Sequence, residues 1–246
     1  MSLENNSLRL AMWSGPRNIS TAMMRSFGNR NDSVVCDEPF YAHYLHATQK
    51  DHPGKDEIIA AGETDWRKVV AWLTGPIPDG KRLFYQKQMT HHLLPHMDRE
   101  WLAKVTNCFL IRHPRDVLTS YIKIVPNPTD EDTGFPQQLE IFNWLRRNTG
   151  VTPLVVDSVE ILNEPRRTLG LLCDALGLDF QESMLSWEPG LRPTDGVWAK
   201  HWYKEVETTT AFRPYRPKTD QVPESFFALY DRCLASFETL YEYRLR

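Results

Sequence analysis

Two short segments of this chain concentrate groups that grip oxyanions. The first is Ser14-Gly15-Pro16-Arg17-Asn18, running on into Ile19-Ser20-Thr21. Gly15 permits a turn, Arg17 is a permanent cation that can fork onto two oxygens, and Ser20 and Thr21 offer hydroxyls. A loop that ends a strand and opens a helix aims several backbone N–H groups at one point. The helix dipole adds to them, and such a nest holds a phosphate-like group. The pattern is not a Walker A loop: Ile19 stands where that loop has its Lys, and the second Gly is missing. A plain Ser/Thr-capped helix start is the competing reading.

The second segment is Arg112-His113-Pro114-Arg115-Asp116-Val117-Leu118-Thr119-Ser120. Arg112 follows an apolar run, Pro114 ends it, and Asp116 is expected to cap the next helix. Ser120 lies one helical turn after Asp116, so Arg112 and Ser120 can grip one anion beside the strand ends. An Arg that merely pairs with a carboxylate is the alternative.

Group transfer between such anion sites also needs a base and charge stabilisation. Glu38, in Asp37-Glu38-Pro39-Phe40, is the candidate general base, with Asp37 expected to point elsewhere. His43 and His46, a helical turn apart, are alternatives. Lys87, in Tyr85-Gln86-Lys87-Gln88-Met89, is the candidate second catalytic cation, placed to steady the bridging oxygen of a leaving group; a snorkelling surface Lys is its bland reading. His91 and His92 are candidates for contact with either substrate, and Phe40, Tyr41 and Tyr44 for an apolar acceptor wall.

These residues need a scaffold that brings distant loops to one edge. Short apolar runs alternate with longer amphipathic ones, the pattern of parallel βα units and an α/β, three-layer α/β/α fold. Strands are expected at Leu8–Trp13, Ser33–Cys36, Arg82–Lys87, Asn107–Arg112 and Pro153–Val156. Helices are expected at Ile19–Arg30, Asp116–Ile124, Gln137–Asn148, Pro165–Leu176 and Glu224–Tyr243. The last helix packs on the domain or supplies a homodimer contact. His43–Asp65 and the Pro- and acid-containing Val125–Pro136 read as loops.

At 246 residues the chain suits a single domain over 1–246. A net charge of −3 lacks the basic field of a nucleic-acid binder, so no nucleic-acid partner is expected. No apolar run approaches 18 residues, so no membrane partner is expected, and the start MSLENNSLRL has no signal-peptide pattern. Four scattered cysteines, Cys36, Cys108, Cys173 and Cys233, suit reduced buried thiols in a cytoplasmic protein, and no zinc spacing is present.

The spacing Arg112-x-Pro114-x-Asp116-x-x-x-Ser120 resembles the motif by which sulfotransferases dependent on 3′-phosphoadenosine 5′-phosphosulfate (PAPS) hold the 3′-phosphate. Pro16-Arg17-Asn18-Ile19-Ser20-Thr21 is similar to their 5′-phosphosulfate loop, and Glu38-Pro39-Phe40 resembles a segment of bacterial members. The resemblance spans residues 8–121. It implies a parallel sheet of P-loop-kinase-like topology, PAPS as co-substrate with no metal required, and a small-molecule acceptor. It also implies that Ser14, Gly15, Arg17, Asn18, Ser20 and Thr21 contact the 5′ end, and Arg112 and Ser120 the 3′-phosphate. A weaker likeness in Trp198-Ala199-Lys200-His201-Trp202-Tyr203 suggests Lys200 or His201 closing over the nucleotide. The chain departs at Asn18-Ile19, where the family usually has Ser-Gly; a β-branched residue there resists positive φ and close backbone approach. That departure keeps a non-catalytic nucleotide-binding protein in contention, beside a kinase-like phosphotransferase.

Overall fold

The computed structural model describes residues 7–246. Part of the expectation about the chain's start falls on residues 1–6, outside the described residues. In chain order the elements are β1 (Leu8–Ser14), α1 (Ser20–Gly28), β2 (Ser33–Asp37), α2 (Tyr41–Thr48), α3 (Lys55–Ala61), α4 (Trp66–Thr74), β3 (Leu83–Met89), β4 (Thr106–Ile111), α5 (Pro114–Tyr121), α6 (Asp130–Thr133), α7 (Phe135–Thr149), β5 (Leu154–Asp157), α8 (Ser158–Asn163), α9 (Pro165–Leu176), α10 (Ala199–Trp202), α11 (Lys204–Glu207) and α12 (Phe227–Tyr241).

The five strands form one parallel sheet in the order β2-β3-β1-β4-β5, the P-loop-kinase-like topology expected. β1 is central, and its middle, Leu10–Trp13, is buried on both faces and apolar at every position. Successive strand residues face opposite ways. Ala11, Trp13, Phe84 and Phe109 pack with Val69 and Leu73 of α4, Phe142 of α7 and Phe237 of α12 on one face. Leu10, Met12, Tyr85 and Leu110 pack with Phe27 of α1, Ile161 of α8 and Leu172 of α9 on the other. Because all strands run one way, the segments after β1, β2, β3 and β4 emerge at the same edge.

All four cysteines are buried and unbridged. α12 buries Leu229, Cys233, Phe237 and Leu240 in the core shared with α7, which is the packing reading of that helix.

Several expectations need correction. His43–Asp65 is not a loop: it carries most of α2 and all of α3, and α4 follows it. α2 lacks a side-chain cap and buries Tyr41, Ala42, His43, Tyr44 and Leu45 in succession, so it shows no clean helical stripe. Val125–Pro136 contains α6, closed at its start by a capping box between Thr129 and Asp132. The helix expected from Asp116 begins at Pro114, with His113 as its cap: the His113 side chain accepts from the Arg115 amide. Asp116 therefore sits inside the first turn and caps nothing.

Candidate active site

The loop after β1 owes its shape to close backbone approach. A Cβ on Gly15 would lie 2.7 Å from the Thr133 carbonyl oxygen, and one on the neighbouring Gly134, at φ +75°, would lie 3.2 Å from the Gly15 Cα. The α6–α7 junction thus seals one flank of the loop. The positive φ the loop requires falls on Arg17 (+56°), not on Ile19 (−87°). Ile19 is therefore under no demand for a positive φ, which answers that part of the objection to a β-branched residue there. Arg17 instead carries a left-handed backbone that non-glycine residues adopt at a cost of about 1–3 kcal/mol.

Asn18 is a brace. Its Oδ1 accepts from the Ile19 amide at 2.8 Å, and its Nδ2 donates to the Leu110 carbonyl of β4 at 2.9 Å. Gln138 of α7 donates to the carbonyls of Trp13 and Leu110, tying the ends of β1 and β4 together. Ser14 is fully buried, with its hydroxyl toward Met89 of β3. α1 has no side-chain cap and no acidic residue in its first turn, so its leading amides face the loop uncompensated. Ser20, buried, and Thr21, half-buried, open that turn.

The second segment meets the first directly. Arg17 Nε donates to Ser120 Oγ at 2.8 Å, and Arg112 Nη1 donates to the Arg17 carbonyl at 3.0 Å. The Arg17 guanidinium is therefore turned toward α5 and occupies the Ser120 hydroxyl. Arg112 Nη2 lies 3.8 Å from Asp116 Oδ2, and Arg112 Nε is buried without a partner. The Asp116 side chain is wholly buried, and neither of its oxygens receives a hydrogen bond.

A third cation was not foreseen from the sequence. Lys218 folds back so that its Nζ donates to the Asp116 carbonyl at 2.9 Å. Burial, then the nearby Arg112, pull the Lys218 ammonium below its usual range, Asp116 opposing and Arg17 adding to the fall. Burial likewise disfavours the charge on Arg112, with Asp116 and Tyr215 opposing and Arg17 reinforcing. Arg17, Arg112 and Lys218 thus lie close enough to influence one another, with Asp116 as the near counter-charge. The sequence signal was Arg213-Pro214-Tyr215-Arg216-Pro217-Lys218, a basic and proline-punctuated stretch. Lys200 and His201 do not close this site: Lys200 is exposed and pairs with Glu57, and His201 lies against Gly54.

The third group stands across the same edge, at the ends of β2 and β3. In register, Lys87 lies beside Asp37 on one side and Met12 on the other. It is not a surface lysine: β3 runs two residues further, to Met89, and Lys87 is 1% exposed. Its Nζ donates to Asp37 Oδ1 at 2.8 Å, Glu38 Oε1 at 2.7 Å and the Tyr203 hydroxyl at 2.5 Å. All three ammonium protons are engaged, which leaves none for a leaving-group oxygen in this arrangement. Asp37, expected to point away, is a full member of the cluster. Its Oδ2 accepts from the Tyr203 hydroxyl at 2.6 Å and from the Gly196 amide at 3.2 Å.

Glu38 shares that face because its backbone leaves the extended conformation, at φ +39°. Burial raises the Glu38 carboxyl above its ordinary value, Lys87 opposes that rise, and Asp37 adds to it. For Lys87, burial alone would lower the ammonium, but Asp37 and Glu38 outweigh it and hold the charge. His92 Nδ1 stands 4.0 Å from Glu38 Oε2, and burial lowers this histidine far enough to keep it neutral. His91, lowered by burial and then by His52 to about 3, is neutral as well. His43 faces away, bonded to the Thr64 carbonyl at 2.7 Å and to His96 at 3.0 Å, and His46 is exposed. Tyr41 and Tyr44 stack on the His92 ring, each at 4.7 Å between centroids, and Phe40 packs on Trp101. Adjacent strands lie about 4.8 Å apart, so Glu38 and the loop after β1 stand on the order of 10 Å apart across β3.

Among the described residues no group of three or more His, Cys, Asp or Glu is placed to hold a metal ion, and no helix is long and apolar enough to cross a membrane.

A family model described as a sulfotransferase domain matches residues 8–229. The chain is 35% and 36% identical, over 228 residues, to branched-chain-amino-acid aminotransferase-like proteins 2 and 1 of Arabidopsis thaliana; each alignment covers 93% of this chain. The chain spans 40% of the length of each of these relatives. Among solved structures, a sulfotransferase from Alicyclobacillus acidocaldarius superposes with a TM-score of 0.56 at 12% identity, covering 97% of both chains. A sulfotransferase domain from the curacin biosynthetic pathway gives 0.54 at 16% identity, covering 98% of this chain and 99% of that one. At such identities the structures establish a shared fold.

Proposed function

This chain belongs to the sulfotransferase family, and from that premise we propose that it moves a sulfuryl group from PAPS to a hydroxyl or amine of a small acceptor. The observation that carries the reading is the junction of the two anion-gripping loops: Arg17, Ser120, Arg112 and Lys218 gather at the ends of β1 and β4. In this reading Gly15, Ser20, Thr21 and the leading amides of α1 receive the 5′ end of the donor. Ser14 and Asn18 shape that loop from within. Arg112, Lys218 and Ser120 receive the 3′-phosphate, and Arg17 lies between the two ends.

Glu38 accepts the proton of the acceptor hydroxyl or amine as that oxygen or nitrogen bonds to sulfur. The bond from sulfur to the phosphate oxygen breaks, and its electron pair leaves with adenosine 3′,5′-bisphosphate. The cations and amides around the two loops screen the charge on the leaving phosphate, as in phosphoryl transfer. They supply positive charge to the donor without a metal ion being required. Lys87, with its three protons engaged, holds Glu38 and Asp37 rather than the leaving oxygen.

The test is turnover with PAPS across a panel of small hydroxyl and amine acceptors, paired with Glu38→Gln. Sulfur transfer that Glu38→Gln abolishes, with bisphosphate affinity retained, is expected. Full turnover by Glu38→Gln would remove Glu38 from the mechanism. Bisphosphate binding with no transfer to any acceptor would favour a non-catalytic binding protein, and magnesium-dependent ATP binding a kinase-like phosphotransferase.

A further inference from the structure

One cation, Lys87, faces two carboxylates, Asp37 and Glu38, in a site that scarcely meets water: the three side chains are 2%, 1% and 12% exposed. A lone buried ammonium hydrogen-bonded to Glu38 would hold that carboxylate ionised and weaken it as a base. Here Lys87 is shared: Asp37 Oδ1 accepts one of its hydrogen bonds, and the Tyr203 hydroxyl accepts another while itself donating to Asp37. The Gly196 amide completes the Asp37 shell.

We propose that Asp37, anchored by the Tyr203 hydroxyl and the Gly196 amide, is a positioning residue that neutralises Lys87 and thereby keeps Glu38 basic enough to take the acceptor's proton. The inference rests on the reading of Glu38 as general base and deepens it. The groups facing Glu38 are Lys87 from β3, Asp37 from β2, His92 from the turn after β3, Tyr41 from α2 and Tyr203 from the α10–α11 junction. His92 and the two tyrosines are uncharged around neutral pH, since burial lowers the one and raises the others. Asp37 is accordingly the counter-charge that sets how much of the Lys87 field reaches Glu38. Glu38 is the most exposed of the three charged side chains, which suits it for meeting an acceptor while Asp37 stays sealed.

Asp37→Asn keeps the shape and removes the charge. At saturating donor, the acid limb of kcat against pH should move down by about one pH unit, a tenfold loss of proton affinity at Glu38. The plateau rate should fall with it. Tyr203→Phe leaves the Asp37 charge in place, so its acid limb should move by much less, whatever its rate. An unmoved limb in Asp37→Asn, with only a lower melting temperature, would reduce Asp37 to a structural role and overturn the inference.

Should Asp37→Asn not fold, carbon-13 titration of the wild-type glutamates, with Glu38→Gln for assignment, decides the matter. Glu38 should titrate above the ordinary glutamate range, and a value below it would overturn the inference. Neither outcome depends on whether Glu38→Gln retains turnover, which tests the general-base reading itself.

Discussion

Replacing Lys87 with Met keeps the side chain's length and removes its charge. Three hydrogen bonds at 2.8, 2.7 and 2.5 Å disappear, and Asp37 and Glu38 are left as two buried carboxylates with no cation between them. Removing one partner of a buried ion pair destabilises by about 3–5 kcal/mol. For a chain of this size each kcal/mol moves the midpoint by about 2–4 °C, so melting should fall by about 6–20 °C. The loss should depend on pH. Glu38 already has a folded value above its unfolded one, and losing Lys87 removes the main influence that lowers it. A carboxyl raised in this way contributes stability that is fully present below its unfolded value and lost as pH rises through its folded value.

Calorimetric or fluorescence melts of Lys87→Met and wild type at pH 5 and pH 8 should therefore show the larger gap at pH 8. Adding Asp37→Asn to Lys87→Met should recover part of it, and the double-mutant cycle measures the coupling. A gap below about 1 kcal/mol, or one equal at both pH values, would refute the description of this cluster as one cation held between two carboxylates.

Three further outcomes are expected. Gly15→Ala places a methyl 2.7 Å from a backbone oxygen that cannot swing aside, so it should lower both the melting point and bisphosphate affinity; unchanged affinity by calorimetry would count against the loop as a donor site. Lys218→Met should weaken adenosine 3′,5′-bisphosphate by about tenfold, the size of one charge-assisted bond, and leave 5′-AMP unaffected, whereas equal losses would place Lys218 elsewhere. Asp157, which caps α8, is raised from 3.8 to about 6, burial being the main cause. That displacement corresponds to at most about 3 kcal/mol, present below pH 4 and lost as pH rises past 6. Asp157→Asn, which can still cap, should stabilise the protein at pH 8 and not at pH 4; equal effects at both would contradict it.

What the sequence disclosed, and what it withheld, follows from the range of the interactions involved. β1 and β4 were legible because a strand buried on both faces must be apolar throughout, as Leu10–Trp13 and Cys108–Ile111 are. The two loops after β1 and β4 were legible because each is a contiguous stretch. Asp37 was misplaced for a physical reason: strict alternation sends Asp37 and Glu38 to opposite faces, but Glu38 turns to φ +39° and rejoins Asp37. Nothing local announces that break. Lys87 reads as a cation free to meet a leaving group, because Tyr203, which completes its shell, lies 116 residues later. Lys218 is separated from Asp116 by 102 residues, and only tertiary folding brings it there. α4 was recoverable, since Trp66, Val69 and Leu73 share one helical face, with Asp65 accepting from the Arg67 amide as a cap.

In the proposed donor site, two neighbouring loop ends clamp one nucleotide by both of its anionic termini. Titration calorimetry with adenosine 3′,5′-bisphosphate tests it most directly, in wild type and in Arg112→Ala. Wild type should bind with one site per chain. Arg112→Ala should lose affinity for the bisphosphate by a factor of about 10–100, as expected for a charge-assisted contact, while 5′-AMP binding is preserved. No heat from wild type at millimolar bisphosphate would contradict the account.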